Sequence, residues 1–132
     1  MADADFSPTP DPGSLAGFYI PADLDDCFRE LDSMLPAGMI AEIRACEETY
    51  YLALHHFGLS LWMRNNWGIW SINSRLKRYF DAQGVDQADS ISNLILTAYW
   101  HYLNGRPVDL KRLIVCDKMM RENIQDGSKT NN

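Results

Sequence analysis

Apolar and polar positions alternate along this chain with a period of three to four residues, the spacing that turns one side of an α-helix inward and leaves the other in water. In IPADLDDCFRELDSMLP the apolar set is Leu24, Cys27, Phe28, Leu31, Met34 and Leu35; Asp23 is placed to cap the start and Pro36 to mark the end. A second helix follows Pro36, with Met39, Ile40 and Ile43 on its buried side and a break near Ala45 and Cys46. From Glu47 the pattern resumes through Tyr50, Tyr51, Leu54, Phe57, Leu61 and Trp62 to Asn65, which reads as the central helix; Gly58 inside it points to another helix backbone passing close by.

Gly68 is placed to end that helix in a left-handed turn, and Ser71, Asn73 or Ser74 to cap the next, in which Leu76, Tyr79 and Phe80 face inward before Gly84 closes it. The stretch DQADSISNLILTAYWHYLNGRP predicts a helix capped by Asp86 or Asp89, with Ile91, Leu94, Ile95, Ala98, Tyr99 and Tyr102 buried and Gly105 and Pro107 as stop signals. The last helix starts at Asp109 and buries Leu110, Leu113, Ile114, Met120 and Ile124. No segment sustains a period of two, so the fold class is all-α: a compact single-domain bundle of five or six helices over residues 18–125, between a flexible acidic, proline-rich tail at 1–17 and a disordered tail at 126–132.

Composition narrows the function more than the fold. The chain has 132 residues, 46% of them hydrophobic, enough for one core. It has no apolar run long enough to span a bilayer and no signal-like start, so the expected compartment is the cytoplasm, with no membrane partner. Cys27, Cys46 and Cys116 lie in or near apolar stripes without CxxC spacing, and read as buried, reduced thiols.

The net charge of −6 is unevenly spread. Residues 1–35 hold eight acids against the single base Arg29, while between Glu48 and Asp81 there is no acid at all and Arg64, Arg75, Lys77 and Arg78 stand alone. An acidic face and a modestly basic one follow if the fold keeps them apart. Four bases in a protein that is acidic overall do not make a nucleic-acid footprint, and nucleic acid is not an expected partner.

The stretch LWMRNNWGIW, residues 61–70, concentrates the distinctive chemistry. Trp62 is expected to point inward with Leu54, Phe57 and Leu61, away from Ser60, Met63 and Arg64, while Trp67 and Trp70 close over the core and offer indole N–H groups to the carbonyls of the helix end. Asn65 and Asn66 suit the same corner. The competing reading is a small enzyme or ligand-binding protein in which Arg64, Asn65, Asn66 and Trp67, with His55 or His56, receive a phosphorylated or nucleotide-like group; Arg64 pairing with a carboxylate instead stays open. His55 and His56 point about 100° apart on a helix and cannot share one metal. Neither HExxH nor a GxSxG elbow is present, so no catalytic residue, metal or cofactor is assigned.

The segments YIPADLDDCFRELD, HFGLSLWMRNNWGIW, SRLKRYF and YWHYLNG, in that order, resemble a family of small bacterial all-helical domains of unknown function. The likeness covers about residues 18–115 and supports the helical fold. Small acidic bacterial proteins of this kind are often immunity partners of antibacterial toxins, which the resemblance makes an expectation here. The expected function is therefore a non-catalytic immunity protein that occludes a cognate toxin's active-site cleft with the acidic face of Asp23, Asp25, Asp26, Glu30, Asp32, Glu42, Glu47 and Glu48.

Overall fold

In a computed structural model of the chain, the described residues are 19–48, 58–70 and 74–130, with side chains as far as residue 122. They form six helices and no strand: α1 (Leu24–Met34), α2 (Ala37–Ala45), α3 (Leu59–Asn66), α4 (Arg75–Asp81), α5 (Ala88–Leu103) and α6 (Leu110–Thr130). The tail at 1–17 and the stripe residues Tyr50, Tyr51, Leu54 and Phe57 lie outside the described residues.

α1 forms where the spacing predicts it. Asp23 accepts the amide of Asp26 at 2.9 Å, satisfying one of the donors a helix start leaves open, and Leu24, Cys27, Phe28 and Leu31 fall on one buried face. Leu35 and Pro36 are extended and end it. In α2 only Ile43 is buried; Met39 stays on the surface, and the chain turns at Cys46 as expected.

Among the described residues the central element is α5. Ser90, Ile91, Ser92, Leu94, Ile95, Leu96, Ala98, Tyr99 and Trp100 are all buried, a helix covered nearly all round because α1, α2, α3 and α6 each pack on it. Its start is Gln87, without a side-chain cap; Asp89 sits in the first turn and is used otherwise. Each aliphatic side chain removed from water along this helix contributes about 1.5–3 kcal/mol. Tyr102, expected inside, is exposed at its end.

α3 is rotated from the expected orientation. Ser60, Met63, Arg64 and Trp67 are buried, whereas Leu61 is exposed and Trp62 half-buried. Apolar counting places arginine and serine outward, but these polar atoms find partners on α5, and paired polar groups can be buried where lone ones cannot. Gly58 is the N-cap of α3, and among the described residues nothing stands within 4 Å of where its Cβ would be. Gly68 does take the left-handed turn, at φ +66°, and a Cβ on it would stand 2.8 Å from Ser74 Cβ.

α6 buries Ile114 with Leu110 and Leu113 half-buried, but Met120 is exposed beside Val115 and Met119, and Cys116 is exposed as well, against the expectation of three buried thiols. Cys27 is buried, Cys46 half-buried. The helix runs on to Thr130 through the expected polar end, since each residue added to a started helix closes another backbone hydrogen bond. Among the described residues no helix is long and apolar enough to cross a membrane.

Candidate functional site

The carboxylates at 23–48 come from α1 and its cap, from α2 and from the residues that follow it, and divide by what their oxygens already hold. Asp26, expected on the outer face, is buried: it accepts the hydroxyl of Tyr19, the amide of Ala22 at 2.9 Å and an Nη of Arg29 at 3.2 Å. Burial alone would raise its carboxyl, but the Tyr19 hydroxyl, the Ala22 amide and Arg29 outweigh it and hold it below the ordinary aspartate value. The same pairing, after burial, pushes the Tyr19 phenol up to about 12. Asp26 thus ties the segment at Tyr19 to α1 and is withdrawn from the surface. Asp23 is half-buried and spends an oxygen on the cap.

Asp32 is exposed yet held. The hydroxyls of Tyr99 and Tyr102 each donate to it, one to each oxygen, at 2.8 Å. Tyr102 in turn stacks on Phe28 with ring centroids 4.7 Å apart, so the carboxylate is oriented by α1 and α5 together. Burial and then the bond to Asp32 raise the Tyr99 hydroxyl; for Tyr102 the bond to Asp32 is the larger cause. One residue earlier on α5, His101 Nε2 stands 3.2 Å from a carboxylate oxygen of Glu48. The last turn of α5 therefore gathers acids from two distant segments. Asp25, Glu42 and Glu47 are exposed and Glu30 half-buried, its carboxyl raised by burial and then by neighbouring Asp26.

The second candidate, the 61–70 corner, is built differently from expectation. Arg64 is only 5% exposed. Its Nη1 donates to Ser60 Oγ at 2.7 Å and Ser92 Oγ at 3.0 Å and lies 3.3 Å from Asp89 Oδ1. The carboxylate partner left open by the sequence is thus Asp89. Trp67 is buried at the end of α3 and meets Trp62 edge to face, but Trp70 is 60% exposed, with its indole N–H on Asn65 Oδ1 at 2.9 Å. Asn66 returns its amide to the Trp62 carbonyl. The indole that serves a helix-end carbonyl is instead Trp100, which donates to Cys46 O at 2.9 Å. His55 and His56 lie outside the described residues.

The basic stretch is largely drawn inward, with Arg78 left exposed. Arg75 donates through Nε to Ile20 O and lies over the Tyr19 ring, and Lys77 is buried with Nζ 2.6 Å from Asp81. Among the described residues no group of three or more His, Cys, Asp and Glu side chains could hold a metal. Ser60, Ser92, Asp89, Tyr99 and Tyr102 entered no candidate site from sequence. The one local signal was Ser60 four residues before Arg64, on the same helical face.

A family model described as a domain of unknown function (DUF6794) matches residues 20–103, which includes both candidate sites. No curated protein and no solved structure matches the chain.

Proposed function

Because the chain belongs to the DUF6794 family, whose description names no activity, its function has to be read from its own surface, and we propose that it is a non-catalytic protein-binding module. The proposed partner is an enzyme with a basic cleft, of the kind that handles nucleic acid or nucleotides, and the proposed role is immunity: occlusion of that cleft in a bacterial toxin, in the cytoplasm. The observation that carries this reading is Asp32, an exposed carboxylate fixed by two tyrosine hydroxyls at 2.8 Å. A carboxylate already oriented loses little freedom when a partner's arginine or lysine meets it, so more of the interaction remains as affinity. Tyr102 and Met34 are exposed on the same two helices, and large side chains of that type are the usual anchors of an interface. Asp25, Glu30, Glu42, Glu47 and Glu48 extend the negative field that steers a cationic cleft toward the docked orientation. Asp26 and the capping oxygen of Asp23 take no part.

The test is the affinity of the full chain for its co-purifying partner across a salt series. Replacing Asp32 by Lys is expected to weaken binding by about tenfold or more, about 1.4 kcal/mol, and the pair Glu42→Lys with Glu47→Lys to slow association and flatten the salt dependence. Affinity unchanged in all of these variants, with circular dichroism unaltered, would remove the proposal.

A further inference from the structure

Arg64 leaves one edge of its guanidinium unused. Its contacts to Ser60, Ser92 and Asp89 all run through Nη1, while Nε is buried and has no hydrogen-bond partner. Buried N–H groups without partners are few in folded proteins because water has been lost and nothing replaces it. The edge that carries Nε is the one that meets two oxygens of a carboxylate or phosphate side by side. The Arg64 guanidinium lies over the Trp70 ring, with Cζ 5.7 Å from its centroid, and the ring, 60% exposed, is held by that contact and by its indole N–H on Asn65. A cation clamped from behind, a buried donor without a partner and an exposed indole beside it are the parts of an anion receptor.

We infer that the Nε edge of Arg64, walled by Trp70, binds the oxyanion of a ligand whose flat ring stacks on the indole. Asp89 does not forbid this: its side chain is 60% exposed, so water screens its charge from a second anion. Ser60 and Ser92 hold Nη1 in place, which keeps the fork aimed without the ligand. A neutral amide offers a single acceptor oxygen and fills the edge only in part; an oxyanion fills it. The site lies on α3, the turn after it and α5, with residues distinct from Asp32 and the acidic docking surface, so either can fail without the other.

The experiment follows the Arg64 Nε–H and Trp70 indole N–H resonances of the ¹⁵N-labelled full chain during titration with benzoate, phenyl phosphate, inorganic phosphate and benzamide. Benzoate or phenyl phosphate is expected to move both resonances together and saturably, with Kd on the order of 1 mM for ligands so small. Which of the two binds more tightly decides between carboxylate and phosphate. Trp70→Ala, at an exposed position, is expected to keep the fold and weaken binding by about three- to tenfold. Arg64→Lys keeps the charge, lacks the fork and is expected to abolish saturation; should that variant not fold, Trp70→Ala and the benzamide arm still decide. An Nε–H that neither aromatic oxyanion moves, benzamide binding as well as benzoate, inorganic phosphate binding as well as phenyl phosphate, or Trp70→Ala without effect would each overturn the inference.

Discussion

Ser60 and Ser92 meet hydroxyl to hydroxyl at 2.7 Å across the packed faces of α3 and α5, both fully buried. Ser92 passes its own proton to the carbonyl of Asp89 at 3.1 Å, and Arg64 Nη1 donates to both hydroxyls. Two small side chains at a crossing let the helices come close, and every hydroxyl there has work on both sides.

Removing one member leaves the others short of a partner. Ser92→Ala is expected to cost about 1–3 kcal/mol, because Ser60 loses its acceptor and Arg64 one of its own. Ser60→Ala with Ser92→Ala should cost less than the sum of the single changes, since they share one network. Urea denaturation of the four chains measures both quantities.

Asp26 makes acid stability diagnostic. Its folded carboxyl sits below the unfolded aspartate value of about 3.9, so its contribution is complete above that pH and is lost as pH falls through the folded value. Asp26→Asn is expected to destabilise the protein by about 1–3 kcal/mol at neutral pH, with the gap to wild type closing below about pH 4. Denaturant midpoints from pH 7 to strong acid check it.

Tyr19 acts at the opposite end of the scale. With its phenol raised to about 12, the protonated hydroxyl stabilises the fold below the unfolded value of 10.0, and that contribution is lost as pH climbs from there toward 12. Tyr19→Phe should therefore lose stability at neutral pH and show a shallower alkaline decline than wild type, read by thermal melts between pH 8 and 12.

The tryptophans of the 61–70 corner are expected to separate cleanly. Trp67→Ala removes a ring that is 1% exposed and should cost about 3–5 kcal/mol, whereas Trp70→Ala, at 60% exposure, should cost less than about 1 kcal/mol. Comparable losses from both in calorimetry would contradict this arrangement.

The glycines offer a backbone test. Gly68→Ala must hold a side chain at φ +66° and against Ser74, and should cost about 2 kcal/mol or more. Gly58→Ala meets nothing within 4 Å among the described residues, at a helix N-cap, with an expected cost below about 1 kcal/mol.

Local chemistry was readable from the sequence because it acts over a few residues. The Asp23 cap, the stop at Pro36, a cap among Ser71, Asn73 and Ser74, the left-handed turn at Gly68 and the helix ends at Gly84 and Gly105 depend on near neighbours along the chain, and the apolar period sufficed for an all-helical fold. Which helix stands at the centre, which way α3 faces, and which carboxylates stay on the surface were decided in three dimensions. Arg64 turns inward because Ser92 and Asp89 arrive from another helix, and Asp32 becomes a fixed anchor because Tyr99 and Tyr102 reach it from 67 and 70 positions away. A polarity pattern records what each side chain prefers in water; whether it can leave water depends on partners that only the folded chain brings near.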